Sequence, residues 1–300
     1  MRVAALIESA VMRFSRQPFL VRRFLVRALF DALKPFGLFH RPESESLRLA
    51  GLLRIPVEAA RRIWAESAFH DLLFALEWAA LLNRPVAGLL REMKHVRVEN
   101  EDLWRWAAAS PSVILATLHS GCYQVSIAYL CARYFPGRKV VLIRNLDEDE
   151  NENRAIERLG ELGIEIAIFR RADQESFIDL FRLVRRGAVL FMLVDLPGSY
   201  GRPVAAELFS WEVELASGVV DIALLCKAPI LFYTVTSTRA RDVIAGHELV
   251  IPQLPGEAER RRIVGKVAGL VTREVGRHPE QWHMWDRFAE YRPVPRAAAT

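Results

Sequence analysis

No Asp, Glu, Lys or Arg occurs between Trp106 and Ala132, and this uncharged stretch narrows what the chain can become. Its length suits a membrane span. Pro111, His119, Gly121 and Gln124 lie inside it, however, and dry hydrocarbon would leave such polar groups unpaired. A buried strand, a turn and a buried helix fit the same residues better. Val113 to Leu118 is an apolar, β-prone run, His119-Ser120-Gly121 follows as the turn, and residues 122–133 read as the helix.

A second apolar run, Ala188 to Val194, ends in Asp195-Leu196-Pro197-Gly198-Ser199-Tyr200-Gly201. Both runs deliver an ionisable residue and then a glycine turn. Open α/β sheets place chemistry at the carboxyl ends of their strands, so His119 and Asp195 are expected to share a site. Further strands are expected at 139–143, 164–169, 230–236 and 248–251, and helices at 151–162, 174–186, 214–226 and 257–276. This alternation predicts an α/β fold, a mainly parallel sheet flanked by helices on both faces. Residues 1–100 read as a helical region. It holds two amphipathic helices within 1–39, broken near Pro18 and ended by Pro35-Phe36-Gly37, and a helical 44–94 in which Val57 to Asn83 has apolar residues at three- and four-residue intervals, with Ser67 and Asn83 as punctuation. Residues 101–300 read as the α/β domain, opened by a short helix from Glu101 to Ala109.

Charge is concentrated at one end. Residues 1–42 carry eight basic and two acidic side chains, a net +6 against +5 for the whole chain. The arginines alternate there with Phe14, Phe19, Leu20, Phe24, Leu25, Leu29, Phe30 and Phe36. Basic and large apolar residues at helical spacing suit an anionic membrane surface, the alternative being a helix packed on the core with solvated arginines. Nothing ties the basic residues to a nucleic-acid reading element, so no nucleic acid is expected as a partner. Cys122, Cys131 and Cys226 show no metal spacing and cannot all pair, which fits free thiols in a reducing compartment. No secretory signal pattern is visible, since Arg13, Arg16, Arg22, Arg23 and Arg27 interrupt every apolar candidate.

Several blocks resemble, in order, the bacterial lipid A late acyltransferases (lauroyl- and myristoyl-transferring enzymes) of the lysophospholipid acyltransferase superfamily. They are His119 with Gln124 five positions on, Arg144-Asn145, Arg170 with Asp173 downstream, VLFMLVDLPGSYGRPVAAELF around Asp195, and HPEQWHMWDRF with Pro279, Glu280, Gln281, Arg287 and Phe288. The resemblance implies a glycerolipid-acyltransferase-like fold with a membrane-facing N-terminal extension. It implies transfer of an acyl group from an acyl carrier protein or coenzyme A thioester to a hydroxyl or amine, on a lipid or a small molecule, without metal or redox cofactor. It also implies a peripheral place on the cytoplasmic face of the inner membrane, a cytoplasmic one being the alternative. Two positions depart from the pattern: Gln124 stands where the family has a catalytic carboxylate, and Leu196 where Gln is usual.

Acyl transfer needs a base for the acceptor's proton, and histidine is suited to it. His119 is therefore the expected base. Gln124 can accept a hydrogen bond from the ring and orient it, but it cannot offset the imidazolium charge. Asp195 is the other candidate partner, unless it only holds its glycine turn. Cys122, three residues from His119, is a weaker candidate as a nucleophile, since free cysteine is most often a small buried hydrophobe. No Gly-x-Ser-x-Gly elbow surrounds Ser120 or Ser126, and His278 and His283 are five apart, off a shared helix face for metal. Arg144, Arg170 and Arg202 stand at or after strand ends, where they could grip phosphate; Arg171 reads as surface, and Trp282 and Trp285 as core packing. Two other readings remain: a catalytically weakened homologue that binds acyl chains or lipid, and an acyltransferase of a soluble biosynthetic small molecule.

Overall fold

The computed structural model describes residues 2–144, 150–170, 176–253 and 255–292. Five helices come first: α1 (Arg2–Phe14), α2 (Phe19–Leu33), α3 (Glu43–Leu53), α4 (Val57–Asn83) and α5 (Val86–Glu92). Pro18, Pro42, Pro56 and Pro85 stand immediately before α2 to α5. A proline there cannot donate to the preceding turn, and its fixed φ leads into the next helix.

The chain then alternates: β1 (Val96–Glu99), α6 (Glu101–Ala109), β2 (Val113–Thr117), α7 (Tyr123–Tyr134), β3 (Val140–Arg144), α8 (Glu150–Arg158), β4 (Ile166–Arg170), α9 (Ser176–Arg185) and β5 (Val189–Leu193). A two-stranded ribbon, β6 (Pro203–Leu208) and β7 (Trp211–Ala216), precedes α10 (Gly218–Cys226), β8 (Ile230–Ser237), β9 (Asp242–Val250) and α11 (Glu257–Arg277). Seven strands form one sheet in the order β1-β9-β8-β2-β5-β3-β4, parallel except where β8 meets β9. The expected α/β class is what the chain adopts.

Alternate side chains of β2 serve different cores. Val113 and Leu115 pack with residues of α6, α7 and α8, whereas Ile114 and Ala116 pack with residues of α9, α10 and α11. The connection after β2 therefore leaves toward one face, into α7, while that after β5 leads through the ribbon to α10 on the other. β2 and β5 are neighbours, so a crevice opens outside their carboxyl ends, as at any switch point of an open sheet.

Three expectations need correction. Residues 214–226 are not one helix: β7 runs to Ala216 and α10 begins at Gly218. The ribbon turns through Phe209 and Ser210, both with positive φ, and lacks the Asn-Gly or Asp-Gly signature by which such turns are read. β1 enters the sheet from the region expected to be wholly helical, and β9 starts at Asp242, ahead of the expected 248.

Two of the N-terminal arginines are also not where their pattern placed them, although Arg13 and Arg16 are exposed. Arg22 and Arg23 are buried, joined to Glu77 of α4 at 2.6 and 2.8 Å; Arg22 also reaches Glu92, and Arg23 reaches Asp242 of β9. Arg27 pairs with Glu66 and Asp31, and Arg41 with Asp286. Arg22 and Arg27 tie the N-terminal helices to one another, Arg23 ties them to the sheet, and Arg41 reaches the C-terminal segment.

Candidate active site

β2 and β5 stay paired to Thr117↔Leu193, and the Val194 N–H still reaches Thr117 O at 2.9 Å. The next residues on each chain are the ones that meet. His119 Nδ1 lies 2.8 Å from Asp195 Oδ1, and the His119 backbone N–H donates to Asp195 Oδ2 at 2.9 Å. Asp195 Oδ2 also accepts from Trp282 Nε1 at 2.8 Å, and the Tyr291 hydroxyl donates to the Asp195 carbonyl. Asp195 is fully buried. Burial by itself would raise its carboxyl, but the His119 charge and the hydrogen bonds from His119 and Trp282 outweigh that, and it lies below its ordinary value. An anionic, acceptor-only carboxylate makes Nδ1 the proton-bearing ring nitrogen. Nε2 is then left with its lone pair, and His119 lines the main cavity.

That cavity measures about 290 Å³. Residues of both cores form its wall: Ile127, Leu142 and Ile156 from one, and Val194, Val219 and Ile222 from the other. It opens where β3 parts from β5, whose pairing stops at Leu142↔Phe191. Arg144 and Arg287 also line it. Arg144 forms a 2.5 Å ion pair with Glu152 and lies 5.9 Å over the Trp78 ring. Arg287 bonds to the Tyr200 hydroxyl and to Glu290.

The His119 turn is held from behind by the segment after α11. Gly121 N–H donates to Gln281 O at 3.0 Å, Ser120 bridges Trp282, and His283 N–H donates to His119 O at 2.8 Å. Gly121 has a φ of +59°, and a Cβ there would stand 2.6 Å from Val235 O, so only glycine fits. The amides of His119, Ser120, Gly121 and Cys122 all have partners within the protein. None of the four remains to receive a developing oxyanion, which leaves that task to donors elsewhere in the cavity.

Of the expected site residues, His119 and Asp195 come together. Gln124 does not join them. It is buried, its Nε2 donates to Phe74 O at 3.1 Å, and Oε1 has no partner among the described residues. The contact with the ring expected of it is made by Asp195, while Gln124 on α7 faces α4. Cys122 is corrected as well: burial pushes its thiol above the ordinary range, the opposite of what a nucleophile needs. Arg144 lines the cavity, whereas Arg202 is exposed, pairs with Glu257 at 3.4 Å and does not line it. Arg170 ends β4 opposite Arg144 in the register; Asn145, Arg171 and Asp173 lie outside the described residues. Gln281, Trp282, His283 and Tyr291 carry contacts that reading the sequence did not assign. The missed signal was chemical: a buried indole N–H needs a partner.

Residues 80–288 match the family described as bacterial lipid A biosynthesis acyltransferase. The chain belongs to this family. A search of curated proteins found none that matches. The lipid A biosynthesis acyltransferase match spans the sheet from β1 to β9 and closes on Phe288, so it includes His119, Asp195 and the segment that holds them. As a member of this family, the chain is an acyltransferase.

Proposed function

We propose that the chain moves an acyl group from an acyl carrier protein or coenzyme A thioester to a hydroxyl or amine of a lipid or glycolipid, with His119 as general base. The contact of His119 Nδ1 with Asp195 in the wall of an apolar cavity carries this reading. In the proposed step His119 Nε2 takes the acceptor's proton as the acceptor oxygen or nitrogen bonds to the thioester carbonyl carbon. The tetrahedral species collapses, the carbon–sulfur bond breaks, and the imidazolium returns the proton to the leaving thiolate. Asp195 orients the ring and offsets the imidazolium charge, so the carboxylate missing at position 124 is supplied from the turn just after β5. The apolar wall suits a hydrocarbon chain. Arg144 and Arg287 are the cavity cations suited to a phosphate or an oxyanion, with Arg170 continuing the Arg144 row.

A peripheral membrane place is part of the same reading, on revised grounds. No helix among the described residues is long and apolar enough to cross a membrane. With Arg22 and Arg23 buried, the anionic-surface argument weakens. Leu20, Val21 and Phe24 leave an exposed apolar strip on α2, and Leu6 on α1 and Phe36 in the turn that follows are exposed as well, Phe24 and Phe36 at 66% and 76%. Such a face suits shallow insertion into a bilayer.

The test is a mass-spectrometric acyl-transfer assay. Purified protein is given acyl carrier protein and coenzyme A thioesters with a lipid extract, beside a His119→Ala variant of unchanged fold. Acylated lipid is expected from the wild type, and at least about a hundredfold less from the variant. Equal turnover by both proteins would remove His119 as the base.

A further inference from the structure

The Asp195 carboxylate has three hydrogen bonds from two sources: the ring and backbone of His119, and the indole of Trp282. Both donors on Oδ2, a peptide N–H and an indole N–H, can only donate. Neither offers Asp195 an acceptor for a proton of its own, so the arrangement favours the anion and keeps the proton on His119 Nδ1. Trp282 is 1% exposed. Its ring meets Trp285 edge-on at 4.6 Å and lies near Phe209, Phe288 and Tyr291. The aromatic packing fixes the direction of the N–H, and the Ser120↔Trp282 bridge fixes its height beside the His119 turn.

We propose that Trp282 is a positioning residue for acyl transfer: its indole N–H holds Asp195 as an anion in the plane that keeps His119 Nε2 free to act as base. The proposal rests on His119 and Asp195 working as a pair. Among the described residues, the titratable groups facing Asp195 are His119 from the β2 turn and Tyr291 from the C-terminal segment. Burial, with the nearby Asp195 charge, keeps the Tyr291 phenol well above its ordinary range and therefore neutral. A carboxylate deprived of one donor binds protons more tightly. The acid limb of the rate profile, which belongs to the coupled pair, then moves to higher pH.

The experiment compares wild type, Trp282→Phe, Trp285→Phe and His119→Ala in acyl transfer across pH. Trp285 is the control, since its indole donates to Pro279 O within the same aromatic cluster and does not touch Asp195. Trp282→Phe is expected to lower kcat about ten- to a hundredfold at neutral pH, with KM little changed and the acid limb displaced upward. Trp285→Phe should leave the limb in place even if it lowers stability equally. An unmoved limb in a folded Trp282→Phe protein, with His119→Ala inactive, overturns the Trp282 assignment alone. Activity in His119→Ala overturns the pair beneath it. If Trp282→Phe does not fold, ¹⁵N spectra of the wild type decide: the Trp282 indole N–H should shift with pH at the midpoint of the acid limb, and a resonance indifferent to that midpoint contradicts the proposal.

Discussion

Gln124 sits where the resembled pattern has an acid, yet its hydrogen bond uses a donor that an ionised acid lacks. The Nε2 group donates to Phe74 O, and the side chain is 1% exposed. In Gln124→Glu the donor disappears, and a carboxylate oxygen faces the Phe74 carbonyl. The expected cost is about 1–3 kcal/mol, read as a lower Tm in thermal unfolding with no gain in transfer to an alcohol. A variant as stable as wild type and faster on an alcohol would show that the position still serves the ring. His119 and Asp195 were legible in the sequence because strand ends and glycine turns are local signals. The sequence named both Gln124 and Asp195 as possible partners of the ring; which of them reaches it could not be read, since that depends on which neighbour β2 takes in the sheet. The Trp282 contact was further out of reach: its partner lies 87 positions away, and only the packed ring sets the direction of the N–H.

Among the elements, α1 and α2 show what an amphipathic pattern conveys and what it omits. Their helical spans and the break at Pro18 followed from periodicity and from proline's missing N–H. Whether an arginine on such a helix meets water, a headgroup or a buried carboxylate does not follow, because the acids that bind Arg22 and Arg23 come from α4, α5 and β9. The β6–β7 ribbon was missed for a related reason: its turn takes positive φ at Phe209 and Ser210 in place of glycine or asparagine, and Phe209 is held there by Trp282, Trp285 and Phe288. The membrane proposal now has a definite form at this scale. With its central arginines turned inward, the α1–α2 face should bind vesicles chiefly through apolar side chains. Co-sedimentation with zwitterionic vesicles is expected to persist in high salt, and Phe24→Asp with Phe36→Asp should weaken it at least about tenfold. Binding that needs anionic lipid and vanishes with salt would return the surface to an electrostatic one.

At the scale of the molecule, one topological fact places the chemistry. β2 and β5 lie side by side and send their chains to opposite faces, so the residues just beyond them border a single crevice, and the last segment of the chain closes over its back. The sequence pattern reached the fold class and the two ionisable strand ends, while the neighbour relation that joins them is a property of the assembled sheet. The most direct test of the account is the kcat of Asp195→Asn in acyl transfer, measured beside Gln124→Ala on proteins of unchanged fold. An amide at 195 cannot offset the imidazolium, and with its oxygen turned to the His119 N–H and the Trp282 indole it presents an NH2 to Nδ1 in place of the acceptor that fixes the ring's tautomer. Asp195→Asn is expected to lower kcat about 10³- to 10⁴-fold, with Gln124→Ala within about tenfold of wild type. A folded Asp195→Asn protein that keeps wild-type turnover would contradict it.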